Sequence, residues 1–332
     1  ETLDATLAAD EDRLAMVLTI EGGHVLSLGP GDRRLPAAAI FERIDAIRRW
    51  PHPVLFLTLA HHFDNGLCGH ARSLIDAGFM LLDQSRRMGE GFEPEDDLGM
   101  AVVRKLLGRD DHLDPTGEHP ILIDAKHLSP RSRAEYYERI IRPLLRRADP
   151  VPVIFSHAGY SGVRTLAELI DGEDQECDRW VSAGFNAWGL NVSDEDVEMV
   201  HRTGGLIGIC LDRRIAGVAP GHDLPREHHG RVVLRQIFGI VDAVMQDDRI
   251  PDDEAATIWD CITLGTDYDG AIHPLARYAT AANLPDLAAD LRDGLEAWRH
   301  TRAIERLGVD NLVDKVLWRN ALEFAQRHLP NR

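Results

Sequence analysis

The most chemically loaded spacing in the chain lies in two short apolar runs that each end in histidine, Ile121-Leu122-Ile123-Asp124-Ala125-Lys126-His127 and Val153-Ile154-Phe155-Ser156-His157. Between them Tyr137, Ile140, Ile141, Leu144 and Leu145 recur at helical spacing after Ser129-Pro130, so the stretch reads as strand, helix, strand. That is a right-handed crossover between parallel neighbours. Parallel strands lie ~4.8 Å apart, close enough for histidines at two adjacent carboxyl ends to share one ion through ring nitrogens at ~2.0–2.1 Å. Three further apolar runs end in residues of the same kind. The run 15–20 leads into Glu21-Gly22-Gly23-His24, the run 54–60 ends at His61 and His62, and the run 261–265 leads into Thr266-Asp267-Tyr268-Asp269-Gly270.

Neutral imidazole and carboxylate are ordinary zinc ligands, and zinc brings the pKa of its water to about 7 and polarises a carbonyl. A carboxylate held ionised beside such a cation suits proton transfer, the role that Asp267 or Asp269 fits. Structural alternatives stand beside these readings: Glu21 as a helix-capping acid, Asp267 and Asp269 as turn acids before Gly270. Strand alternation gives His61 the inward side and turns His62 away. It likewise puts Ala125 and Ile123 on the face of His127, with Lys126 pointing away, and Phe155 and Val153 on the face of His157. His24, His70, His201, His222, His228 and His229 read as surface or supporting residues.

Positioning these side chains requires strands at 15–20, 54–60, 121–127, 153–157, 205–210 and 261–265. They alternate with helical patterns at 36–49, 71–82, 97–107, 129–147, 193–202, 228–245, 284–306 and 309–327, after the end of an amphipathic helix over 3–14. The strands are mostly continuous apolar runs, the kind buried on both faces, and five end in Glu, His or Asp. A (β/α)8 barrel builds its site at the carboxyl ends of its strands, which explains why unlike residues recur at the same place in successive units. The expectation is a single domain over 1–332, with insertions around 83–119 and 161–190, the second irregular, and no internal repeat.

A chain of 332 residues, 44% hydrophobic, has enough apolar material for one large core. Its net charge of −18 excludes a phosphate-binding surface of clustered Lys and Arg, so neither nucleic acid nor an anionic membrane is an expected partner. Cys68, Cys177, Cys210 and Cys261 show no C-x-x-C spacing, and Cys210 and Cys261 fall in apolar runs where a free thiol acts as a small hydrophobe. The expected compartment is cytoplasmic. A homodimer is left open.

Taken together, Ile20-Glu21-Gly22-Gly23-His24, Leu57-Thr58-Leu59-Ala60-His61, Leu122-Ile123-Asp124-Ala125-Lys126-His127, Val153-Ile154-Phe155-Ser156-His157 and Gly265-Thr266-Asp267-Tyr268-Asp269-Gly270 resemble the membrane (renal) dipeptidase family of the amidohydrolase superfamily. The tail Lys315-Val316-Leu317-Trp318-Arg319-Asn320-Ala321 is similar to that family's closing helix. The resemblance implies a zinc-dependent hydrolase of amide bonds in small substrates, a dipeptidase with a binuclear site in a distorted barrel. Glu21 would bridge the two zinc ions, and His127 and His157 would complete the shell of the second. His61 would bind the substrate carbonyl and its oxyanion, and Asp267 would take a proton from the metal-bound hydroxide and pass it to the leaving amine.

Two departures from the family pattern shape the expectation. The His-x-Asp pair of the family's first strand has no counterpart before Glu21, so the expected fold is a distorted (β/α)8 TIM-type barrel lacking its first one or two β/α units. Zinc is the expected cofactor, two ions in the complete protein with one weakly held in this chain, and an upstream segment is expected to carry the missing pair. His112-Leu113-Asp114 is the substitute within the chain. Secondly, the family's substrate-carboxylate arginine aligns with Leu190, which cannot make a charge-assisted fork. Arg213, Arg214 and Tyr160 are therefore carried as candidate substrate-binding residues. Two other readings fit these departures: an amidohydrolase-type enzyme acting on a different small amide or ester, and a non-catalytic barrel that has lost part of its metal site.

Overall fold

The computed structural model describes residues 15–74, 83–92, 97–173, 184–219, 221–222, 224–298 and 302–330. Two compact units divide the chain, one of Glu1–Val151 with Leu322–Arg332 and the other of Pro152–Ala321. The helices expected over 3–14 and in most of 71–82 lie outside the described residues.

In the first unit the apolar runs become three parallel strands, β1 (Leu18–Glu21), β2 (Val54–Thr58) and β3 (Leu122–Asp124). Register pairs Glu21 with Thr58 and Thr58 with Asp124, so three polar residues occupy one rung at the carboxyl ends. β2 and β3 are buried on both faces, as continuous apolar runs require, whereas β1 carries an exposed Leu18 and follows an exposed Met16. Between β1 and β2 the helix Ala37–Arg48 buries Ile40, Ile44 and Ile47, a stripe at i, i+4 and i+7. Leu98–Leu106 precedes β3.

The helix after β3 starts where the sequence predicts, with Ser129 accepting the Ser132 amide and Pro130 in the first turn. Its interior departs from a regular α-helix. Pro130–Tyr136 passes into a π segment, Tyr137–Ile141, in which the Arg142 amide reaches back five residues to Tyr137 O, and then into Arg142–Arg146. The cause is Pro143, which has no amide to donate and whose ring would meet the carbonyl four residues back, so the wider turn just before it relieves the clash.

In the second unit β4 (Ile154–Ala158), β5 (Leu206–Ile209) and β6 (Ile262–Leu264) are parallel, with Phe155 opposite Ile207 and Ile207 opposite Ile262. The three approach closely at one point. A Cβ at Gly208 or at Gly265 would lie 2.1 Å from Ser156 O, and each would lie 2.9 Å from the other glycine's Cα. Asp194–Thr203 is held by a reciprocal Ser193–Asp196 capping box and ends at Gly204 with φ 63°. His229–Met245 and Leu284–Ala297 follow. Asn320 is buried and donates to Trp259 O and Ile262 O, both at 2.7 Å, tying the tail Lys315–Ala321 to the start of β6.

Six parallel strands alternating with helices therefore stand in the described residues, the α/β class expected. Eight strands are not present among them. The 161–190 stretch, expected to be irregular, holds the helix Leu166–Glu173, whose start Thr165 and Glu168 bind reciprocally: Thr165 N–H donates to Glu168 Oε1 and the Glu168 amide to Thr165 Oγ1.

Candidate metal centre

Glu21 ends β1, and the two glycines that follow it are demanded by crowding. Gly22 and Gly23 donate to Thr58 O and Leu59 O at 3.0 and 3.1 Å, which lays the chain against β2. Gly22 has φ 113°, and a Cβ on Gly23 would lie 2.4 Å from Leu59 O. Beyond β2 the chain bends at once. Asn65, buried, donates through Nδ2 to Leu59 O at 2.6 Å and accepts the Leu67 amide at 3.0 Å, closing the loop that carries His61 and His62. Because β2 stops at Thr58, alternation does not separate the two histidines, and their rings lie 3.6 Å apart between centroids.

β3 also stops short of its histidine. Asp124, fully buried, accepts Thr58 Oγ1–H at 2.6 Å through Oδ2 and the Lys126 amide at 3.1 Å through Oδ1. It thereby fixes a turn in which His127 adopts φ 66°, and Lys126, expected to point away from the site, is buried along with His127. The outcome is a convergence. His61 Nε2 and His127 Nε2 each stand 3.5 Å from Glu21 Oε1, and His61, His62 and His127 offer ligand atoms all within 4.8 Å of one another.

Electrostatics keeps the His62 ring neutral and so suited to coordination. Burial, reinforced by His61, Lys126 and His70 and opposed by Glu21, pushes His62 down to about 3, so it is neutral at physiological pH. His24 is also lowered, by burial and then by His61, and it packs on Phe63 with ring centroids 5.2 Å apart. The two ring nitrogens of His70 each stand 3.1 Å from a backbone carbonyl oxygen, those of Ala71 and Arg86, and the one that carries the proton donates.

In the second unit His157 lies in β4, buried like Phe155 and Val153, with Nδ1 2.9 Å from Ser156 Oγ. Asp267 follows β6 with φ 55°, and its Oδ2 is 3.8 Å from His157 Nε2. Asp269 has φ 64°, and Gly270 N–H closes the turn on Asp267 O at 3.1 Å. Asp tolerates this left-handed region better than most residues, so the turn reading and a functional one are compatible for Asp267.

The remaining candidates have partners of their own. Arg214 forks onto Asp212, with Nη2 2.7 Å from Oδ2, and Arg213 donates to His222 O. Tyr160 donates its hydroxyl to Asp194 and sets its ring edge-on to Phe185. Leu190 is buried. His112 and Asp114 are exposed, in a loop where Arg147 binds His112 O and Asp114 Oδ1.

Alternation rules had set His62 aside, and Asp124 and Ser73 carried no signal as single residues. The doublet His61-His62 followed by Asp64-Asn65-Gly66 was the available sign, because a turn so close behind the strand removes alternation.

No family model matches the sequence. No curated protein matches it either. Among solved structures, the chain is similar to the dipeptidase AC, a metallopeptidase, with TM-score 0.48 and 16% identity over 83% of this chain and 58% of that one. It is similar to a metallopeptidase from Rhodobacter sphaeroides liganded with a phosphinate mimic of the dipeptide L-Ala-D-Ala, with TM-score 0.49, 15% identity, and 83% and 56% of the two chains covered. A third is the probable dipeptidase PvdM from Pseudomonas aeruginosa, with TM-score 0.45, 13% identity, and 87% and 66% covered. The chain spans 56–58% of the length of the first two. At such identities the chemistry is decided by the side chains at the strand ends, not by the likeness.

Proposed function

We propose that this chain is a metal-dependent hydrolase of amide bonds in small substrates, dipeptidase-like, with zinc as its metal. The observation that carries the reading is the 3.5 Å separation of His127 Nε2 from Glu21 Oε1, with His61 Nε2 at the same distance from that oxygen on the side open to substrate. These are long for hydrogen bonds, but ligand atoms around a tetrahedral zinc with bonds of ~2.0–2.1 Å stand about 3.3–3.4 Å apart. The donor set fits a divalent cation. Glu21 and His127 would hold it in the first unit, His157 is the candidate ligand of the second, and a divalent cation when bound would supply Lewis acidity and lower the pKa of water.

The chain's own residues do the rest. His61 hydrogen-bonds the substrate carbonyl oxygen and stabilises the charge that develops there. Asp267 accepts a proton at Oδ2 and returns it to the leaving amine. Asp124 and Asn65 hold the turns that present His127 and the His61-His62 pair. The proposed substrate is a dipeptide or a similar amide.

The experiment is hydrolysis of a dipeptide panel by the chain before and after chelation, with zinc added back. Activity lost on chelation and restored by zinc is expected; activity indifferent to chelation refutes the reading. A second reading, a different small amide or ester, is favoured by the buried Leu190 at the carboxylate position and by the engagement of Arg214 with Asp212. Amides blocked at the carboxyl end separate the two, since only the second accepts them as well as it accepts free dipeptides.

A further inference from the structure

We propose that His62 is a metal ligand, and that with His61 and His127 it forms a three-histidine cation site within the first unit. This rests on the metal-dependent reading above and moves His61 from the substrate carbonyl to the cation. The ligand atoms of the three rings lie within 4.8 Å of one another, a span that one ion could draw together. Glu21 Oε1 borders the His61 and His127 side of the group at 3.5 Å. Three imidazoles beside a carboxylate oxygen supply the nitrogen and oxygen donors that zinc takes.

The tautomer of His62 can be read from its surroundings. Gln84 Nε2 donates to Leu74 O at 2.8 Å, which turns its Oε1 toward the amides of Ser73 and Leu74, at 3.0 and 3.1 Å. The Ser73 hydroxyl donates its single proton to that same oxygen at 3.3 Å. With the hydroxyl proton on the Gln84 side, a lone pair of Ser73 Oγ faces His62 Nδ1, 2.6 Å away, and Nδ1 is the ring's donor. Nε2 is left as a lone pair. An imidazole that donates one N–H to a neighbouring oxygen and keeps the other nitrogen free is how metal-binding histidines are oriented.

The test uses the full chain, stripped by chelation and titrated with cobalt(II) as the probe, following visible absorption and the number of equivalents bound. The variants are His62→Asn, Ser73→Ala and His157→Ala. His62→Asn is expected to lose a bound equivalent or to bind cobalt at least tenfold more weakly, with altered visible bands. Ser73→Ala, which removes only the acceptor for Nδ1–H, is expected to weaken binding about 10–100-fold. If His62→Asn does not fold, Ser73→Ala alone decides. Parent-like stoichiometry, affinity and spectrum in the folded variants overturn the proposal. If those variants are parent-like while His157→Ala loses metal, the hydrolase reading survives and only this proposal falls. A parent chain that binds no cobalt(II) sinks both.

Discussion

Replacing Thr58 by valine keeps the size and branching of a buried β2 residue and removes one hydroxyl. That hydroxyl donates at 2.6 Å to a carboxylate oxygen of Asp124, a residue with no solvent exposure. A hydrogen bond to a charged group contributes about 1.5–3 kcal/mol, so the variant should lose about 2 kcal/mol. For a cooperative unit of some 150–250 residues that corresponds to a fall of about 4–8 °C in melting temperature. The assay is thermal unfolding by circular dichroism, repeated in a double-mutant cycle with Asp124→Asn to isolate the pairwise part. Asp124 also holds the Lys126 amide in the turn before His127, so divalent-cation affinity should fall with stability. A melting temperature within about 1 °C of the parent, or a coupling under about 0.5 kcal/mol, would show that the Thr58–Asp124 contact does not organise this rung.

Asp267→Asn is expected to reduce turnover on a dipeptide by at least tenfold while metal content stays near that of the parent, whereas His157→Ala loses metal as well; equal metal loss in both would make Asp267 a ligand. His328 is pushed down to about 4 by burial, with Arg327 and His119 adding to the effect. The unfolded chain binds this proton near pH 6.5 and the folded chain only near 4, so its contribution is complete above 6.5 and is lost as pH falls toward 4. His328→Phe should flatten the dependence of melting temperature on pH across that window, and an unchanged slope would contradict the assignment. Gly208→Ala should cost about 1–3 kcal/mol or more in urea unfolding, since the new methyl meets a strand carbonyl at 2.1 Å rather than a movable side chain; a neutral result would mean that the three strands can spread.

The sequence was most legible where one local rule suffices. Continuous apolar runs located the six strands of the described residues, and the helical pattern opening at Ser193 is reproduced as Asp194–Thr203. Legibility failed two to four residues past β2 and β3. Period-two alternation was carried to His62 and Lys126, but β2 stops at Thr58 and β3 at Asp124, and the turns beyond are set by Asn65, bound to Leu59 O and the Leu67 amide, and by Asp124, bound to the Lys126 amide and the Thr58 hydroxyl. Of these partners only Thr58, 66 residues before Asp124, lies outside a local window. Thr165 and Glu168 were a different kind of miss, a capping pattern present in the sequence inside a stretch dismissed as irregular. Residue type named the candidate side chains, while the approach of Glu21, His61 and His127 in the first unit depends on turns that three-dimensional structure reveals.

The π segment at Tyr137–Ile141 makes the length of its helix and the identity of one residue interdependent. A π turn accommodates one residue more than the regular helix around it while leaving the faces on either side in phase. Deleting a single residue there would keep buried Tyr136 upstream and buried Leu144 downstream on the sides they now occupy, but would press the Pro143 ring into the carbonyl one turn back. Replacing Pro143 by alanine removes that obstacle. Shortening this helix by one residue is thus a change the fold should reject alone and accept in company with a substitution a few residues away, so tolerance at this place belongs to the pair and to neither position.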